Sequence, residues 1–530
     1  MTATYLVLGG LNAEQASRIG LLGLVDLLLI SAWTTRKGTE TKLGKAWVLA
    51  AAFVFLLFMS FQGFVREYFG LAPDDNMVMA TLFNSDRSEA GEFLEQEFRP
   101  MIKHFALVLG LGSLFALVLH RWPRPRPATA PVPSLGRQWA TVGAFGVVFV
   151  LAHLNSSMRN MDTLLYFSSR YSLWKHQIRK QAELQAKMAG LASDPQLDTL
   201  HCQDEAPRTV VFMLGESTTR LDFPYVGYAR NTTPELGALG DKITWFSNVL
   251  SCDPTTVPAL RKILTPATIA EPDLWLHKPD LFLMARKTGY KTFWLSNHST
   301  DSNGSMAVFL SHVNRVVLAN RGASRGESSF DEVLLPLLDE ALKDPAPRKF
   351  IVLHMLGAHP AYYYRYPKAF DHFNKPDAVS RELKASGRAF WAISLRNCYD
   401  NALLYMDHVL TRSVDLCRSS GQRAAWLFVP DHGHDAAHYN NFCGHNVNAQ
   451  SQYEIPIMFW HADSFPSPQV DKISLASRAY QTDVLDHTLL GLMDIVGDYY
   501  DPHSDVLSAA FEPSRQTIQG GPWAAKPAAP

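Results

Sequence analysis

The sequence predicts a chain in two parts: an N-terminal α-helical transmembrane domain, then an α/β domain with a mainly parallel sheet sandwiched by helices. Three observations carry this reading. Residues 1–160 hold long charge-free apolar runs, residues 206–500 alternate short β-rich runs with helical patterns, and acidic, imidazole and amide side chains recur just after four of those runs. Alternating strand and helix signals argue a parallel sheet covered on both faces. In such sheets ligands bind beyond the carboxyl ends of the strands.

Composition bounds the rest. The chain has 530 residues, 47% of them apolar, and a formal net charge of -1, so it lacks the basic excess of a nucleic-acid binder. Its five cysteines, Cys202, Cys252, Cys398, Cys417 and Cys443, form no CxxC pair, which excludes a zinc ribbon or a thioredoxin motif. Cys398 and Cys417 fall on one helical pattern about 28 Å apart at ~1.5 Å per residue, too far to bridge.

In the first part, residues 46–65 form a charge-free run of the roughly 20 residues that a bilayer core demands. Residues 19–35, 105–119 and 139–154 are shorter spans of the same kind. Arg36, Lys37, Lys42 and Lys45 lie between the first two spans, and Arg121, Arg124, Arg126 and Arg137 between the last two, whereas residues 66–103 are rich in Asp and Glu. The positive-inside rule places both basic loops in the cytoplasm and everything after the fourth span on the opposite side. Residues 1–18 lack the basic start of a signal peptide. Residues 161–205 read as an amphipathic linker, either lying on the bilayer surface or solvated. Residues 501–530 read as a C-terminal tail ending in an Ala/Pro/Gly-rich stretch.

The second part opens with TVVFMLG at residues 209–215, an apolar, β-branched run that Gly215 stops short of helical length, hence a buried strand. Similar runs follow at 291–296 (KTFWLS), 350–355 (FIVLHM), 425–429 (AWLFV) and 455–460 (IPIMFW). Their ends carry Glu216, then Asn297 and His298, then His359, then Asp431 and His432. Glu, Asp and His are ligands that zinc accepts, and a catalytic zinc keeps one position open. Singly, Glu216 also reads as an acid at a helix N-terminus and Asp431 as a turn residue before Gly433. Jointly, the four strand ends favour a site. In SCDPTTVPALRKI, Thr256 reads as the N-cap of a helix with Pro258 in its first turn. A hydroxyl there meets bound phosphate, and contact with zinc would make it a nucleophile. Thr255 is its rival, and a threonine that only caps the helix is the plainer alternative.

The stretches GESTTR, VGYARNTTPEL, TFWLSN, FIVLHMLGAHPAYYYRYP, YDNALLYMDHVL and DHG together resemble the membrane phosphoethanolamine transferases of the alkaline-phosphatase and sulfatase superfamily. The likeness runs across most of residues 208–460. PDLWLHKPDL, GYKTFWLSN and LKDPAPRKFIVLHMLGAH resemble the branch that modifies the lipopolysaccharide core. The resemblance implies an alkaline-phosphatase/sulfatase-like fold in a multi-pass protein of the bacterial inner membrane, with its catalytic domain in the periplasm. It implies a phosphatidylethanolamine donor, a lipopolysaccharide acceptor (core or lipid A) and Zn2+ in one tight site, with a second left open. Its metal ligands would fall on Glu216, Thr256, Asp431 and His432, its nucleophile on Thr256, and its phosphoethanolamine contacts on Asn297, His359 and His438. His445, after Gly444, is the alternative to His438. His434 and Pro430 replace the glutamate and serine that the family carries beside its last metal strand. Four spans stand against the family's usual five. Other functions compatible with the sequence are a hydrolase or glycerophosphate transferase of the same superfamily, and a membrane-tethered binding protein without catalysis.

Overall fold

The computed structural model describes residues 190–298, 306–320 and 330–513, the helix at 135–153, short helical stretches between 49 and 117, residues 187–188, and residues 516–518 and 521–522. The span expected at 19–35 lies outside the described residues, and those at 46–65 and 105–119 lie only partly within them. The chain divides into two compact units, Met1–Phe83 with Leu94–Arg179, and Asn84–Phe93 with Lys180–Pro530. In the first, helix α1 (Leu135–His153) leaves Val147, Val148, Val150 and Leu151 exposed. Among the described residues no helix is long and apolar enough to cross a membrane.

The second unit is built on a seven-stranded sheet. Its strands are β1 (Arg208–Gly215), β2 (Thr244–Phe246), β3 (Lys291–Ser296), β4 (Arg315–Leu318), β5 (Arg348–His354), β6 (Ala424–Pro430) and β7 (Ile457–His461). In space they run β2-β7-β6-β1-β5-β3-β4. Strands β6, β1, β5, β3 and β4 pair in parallel, while β7 is antiparallel to both β6 and β2. The mainly parallel sheet expected from sequence is present, with β7 reversed. An apolar run such as IPIMFW carries no mark of strand direction.

Every residue of β1 is buried, as a central parallel strand covered on both faces requires. Because side chains alternate along a strand, Val210, Phe212 and Leu214 enter one core and Val211 and Met213 the other. The first core is closed by α2 (Thr256–Ile263), α3 (Leu281–Lys287) and α7 (Leu485–Leu492), the second by α4 (Leu334–Leu342) and α6 (Phe390–Ser419). Between α4 and α6, α5 (Ala378–Ala385) is capped by Asp377. Tyr399, Leu403, Met406, Leu410, Val414 and Cys417 line one stripe of α6 at the three-to-four spacing of a helix face and are all buried. Each large apolar side chain so buried contributes about 1.5–3 kcal/mol. The same two-residue alternation positions the site. Leu214 of β1 registers with His354 of β5 and Val429 of β6, and His354 with Ser296 of β3. One step of the alternation beyond these, Glu216, His298 and Asp431 follow on the face that α2 covers.

Candidate active site

Glu216 sits in a turn that leaves β1 sharply. Ser217 adopts a positive φ of 54°, a conformation that costs a non-glycine residue about 1–3 kcal/mol and persists only when its surroundings impose it. Here the Tyr399 hydroxyl donates to Ser217 O at 2.8 Å and accepts from Thr219 N at 3.0 Å. Ser217 Oγ in turn donates to Glu216 Oε1 at 2.7 Å. The adjoining turn after β6 is fixed to the same place: Asp431 N donates to Gly215 O at 3.1 Å, and Thr218 N to His432 O at 2.9 Å. Gly433 is required there, because a Cβ would lie 2.0 Å from Ser451 O.

These turns gather Glu216, Asp431 and His432, all fully buried, with their ligand atoms within 4.8 Å of one another. Thr256 joins them: its Oγ1 donates to Glu216 Oε2 at 3.1 Å and lies 3.3 Å from His432 Nε2. His432 Nε2 is 3.3 Å from Glu216 Oε1 and 3.5 Å from Asp431 Oδ2. Four donors around a zinc at about 2.1 Å stand roughly 3.4 Å apart, so these separations already match a tetrahedral zinc shell. Gly433 O accepts from His432 Nδ1 at 2.7 Å, which turns Nε2 toward the carboxylates, the arrangement expected of a histidine ligand. Asp431 Oδ2 is buried without a hydrogen-bond partner. Among the described residues no Lys or Arg pairs with either carboxylate. Two buried carboxylates against one imidazolium leave uncompensated negative charge, which a divalent cation would balance.

Electrostatics agree with the geometry. Burial disfavours the charge on His432, but the Asp431 and Glu216 carboxylates outweigh it and push the imidazole up to about 10. Burial and the Glu216 charge push Asp431 up to about 7. Glu216 is held well below the usual carboxylate range against its burial, chiefly by His432. Around this cluster lie neutral imidazoles. Burial lowers His359 and His434, and burial with the charge of His432 brings His445 down to about 3.

The structure separates the two candidate histidines of the loop after β6. The ring of His445 packs 5.0 Å from His432 and 4.7 Å from His434. His438 instead faces Asp222 at 3.0 Å and Asp435 at 3.4 Å, inside a buried ion network. His434 accepts its place from Tyr362, whose hydroxyl is 2.5 Å from Nδ1. Asn297 Nδ2 donates to Asp331 Oδ1 at 3.0 Å, and Asp331 also accepts from Leu356 N and Gly357 N, each at 2.8 Å. Asp331 was not singled out from sequence, nor was His354, which reads as an ordinary member of an apolar strand. Thr256 is the first residue of α2 and not its N-cap, as the sequence suggested. Thr255 holds the cap position but turns its hydroxyl to Asp253 Oδ1 at 2.8 Å.

A parallel-rich α/β domain with an acid, acid, imidazole and threonine cluster at its carboxyl edge defines a hydrolase- or transferase-type site. The chain matches the Sulfatase family over residues 208–495 and belongs to it, in the branch of the phosphoethanolamine transferases. It is 30% identical over 476 residues to phosphoethanolamine transferase EptC of Escherichia coli K12, covering 84% of this chain and 79% of that one. It is 28% identical to phosphoethanolamine transferase CptA of Salmonella typhimurium, with the same coverage. Among solved structures, the zinc complex of the C-terminal periplasmic domain of EptC from Escherichia coli aligns with a TM-score of 0.56 at 31% identity, over 60% of this chain and 90% of that one. The integral membrane protein lipooligosaccharide phosphoethanolamine transferase A from Neisseria meningitidis shares the fold over 94% of this chain and 99% of its own, with a TM-score of 0.64 and 21% identity.

Proposed function

We propose that this chain transfers phosphoethanolamine from phosphatidylethanolamine to a phosphate or sugar of lipopolysaccharide, in the core or lipid A, through a covalent intermediate on Thr256. The observation that carries the reading is Thr256 Oγ1 lying within 3.3 Å of both Glu216 and His432 at the first residue of a helix. A single zinc suits Glu216, Asp431, His432 and Thr256, and when bound it would lower the pKa of the hydroxyl beside it. Thr256 and Val257 present backbone N–H groups at the start of α2, where a phosphate is favoured, whereas Pro258 has none to offer. Thr256 Oγ1 attacks phosphorus, the bond to the glyceride oxygen breaks, and diacylglycerol leaves with the proton that Thr256 gives up. The acceptor oxygen then attacks the same phosphorus, the bond to Thr256 Oγ1 breaks and Thr256 takes up the proton the acceptor gives up, so one difficult transfer becomes two easier ones. His359, neutral at pH 7, can donate one N–H to the phosphate oxygens, His445 directs its N–H to the Pro254 carbonyl, and Asn297 is held by Asp331 at the same edge. His438 is assigned a structural part. The four spans would hold this domain at the periplasmic face of the inner membrane.

The test is direct. Full-length protein given phosphatidylethanolamine but no acceptor should carry a phosphoethanolamine adduct on the peptide containing Thr256. Thr256→Ala should abolish transfer while keeping the fold, and Thr256→Ser should retain part of the activity. An adduct on Thr255 or Ser217 would refute the assignment, and release of free phosphoethanolamine as the main product would make the protein a hydrolase.

A further inference from the structure

A second group of metal-type side chains meets at the other side of Glu216. Its carboxylate, His298 and His354 are all buried, and one ligand atom from each lies within 4.8 Å of the others. Their meeting follows from the sheet. His354 is the last residue of β5, level with Leu214 and Ser296, and Asn297 N donates to His354 O at 2.9 Å, so the ends of β1, β5 and β3 stand abreast. Glu216 and His298 therefore follow on the same face as His354.

The two rings are held in place. They stack with centroids 4.1 Å apart at 12°, and His354 also packs on Trp294 at 5.2 Å. Met355 O, which can only accept, receives His298 Nε2 at 2.7 Å. This hydrogen bond places the proton of a neutral ring on Nε2 and leaves Nδ1 as the lone-pair nitrogen, as the bond from Nδ1 to Gly433 does in mirror fashion for His432. A carbonyl that fixes the tautomer of a buried histidine is the usual outer partner of a metal ligand.

We propose that Glu216, His298 and His354 form a second cation site that shares Glu216 with the first and takes a divalent ion of the zinc class. Two imidazoles and one carboxylate suit borderline ions such as zinc, and do not suit magnesium or calcium, which take oxygen ligands. This site offers three protein ligands, whereas the first has four, with Thr256 Oγ1 3.1 Å from Glu216 Oε2 and 3.3 Å from His432 Nε2. It is therefore the weaker of the two. The inference rests on the zinc-dependent reading above and adds the location of a second ion.

Metal-free full-length protein in detergent, titrated with Co2+ and dialysed against Zn2+, tests it. The wild type should bind two equivalents, the cobalt spectrum growing in two steps. His298→Gln and His354→Gln should each lose the weaker equivalent and keep the tighter one, with unchanged thermal unfolding of the metal-free protein confirming the fold. Asp431→Asn should lose the tighter step. A wild type that saturates at one equivalent, itself lost in Asp431→Asn, would overturn the second site and leave the transferase reading standing. Two equivalents persisting in both histidine variants would also overturn it, and a wild type that binds no zinc would overturn both readings.

Discussion

His432 directs Nε2 at two carboxylates, and in the metal-free protein that nitrogen carries a proton held up to about pH 10. A zinc bound there would displace it, so binding would release a proton. Between about pH 7 and pH 10 the apparent zinc affinity should rise about tenfold per pH unit, and more steeply below pH 7, where Asp431 also holds a proton up to about 7. Calorimetry in buffers of different ionisation enthalpy measures the proton count directly. A pH-independent affinity would show that the imidazole is already neutral. Residue by residue, much of this cluster was legible in the sequence: Glu216 and Asp431 stand one step past buried strands, and His432 and Thr256 adjoin them. His354 was not legible, because a histidine inside FIVLHM looks like any core position until the register with Leu214 is known. Nor could the sequence decide between His438 and His445, since both lie on an irregular loop whose path is set by contacts with Asp222 and His432.

Among the elements, the turns after β1 and β6 tolerate little change. Gly433→Ala would drive a methyl against Ser451 O, 2.0 Å from the Cβ position, with the backbone carbons of Ser451 and Gln452 at 3.1 and 3.2 Å behind it. It should destabilise by more than the roughly 1–3 kcal/mol typical of an overpacked core, and should lose zinc because Asp431 and His432 move with the turn. Gly237→Ala, which meets nothing within 4 Å, is the control and should stay within about 0.5 kcal/mol of wild type. Thermal unfolding and metal content of the two variants settle the comparison. The strands of the central sheet were legible from their β-branched runs and glycine stops. The short β2 and β4 were not, since three or four residues hold too little pattern, and the helix start at Thr256 was misplaced by one residue because both threonines suit a cap.

Across the molecule, distant segments are joined by buried charge. Arg396 of α6 holds Asp222 at 2.9 Å, and Arg230 holds Asp400 at 2.6 Å and Asp377 at 2.7 Å. Arg396→Met would leave the Asp222 carboxylate buried without its arginine and should cost about 3–5 kcal/mol, read as a lowered unfolding midpoint. For the N-terminal part, the basic loops predict that Ser134→Cys resists a membrane-impermeant thiol reagent while Asn76→Cys reacts, against the unsubstituted protein as background. The reverse pattern would place the catalytic domain on the wrong side for a lipopolysaccharide acceptor. The position of β1 also has a consequence in time. It lies at the centre of the sheet, yet its neighbours β5 and β6 begin at residues 348 and 424. Such non-local pairing is slow to form. A ribosome adding about 5–20 residues per second needs on the order of ten seconds or more to make both partners. Until then TVVFMLG has at least one edge open, so the nascent chain is most exposed to aggregation and proteolysis in the interval before β6 arrives.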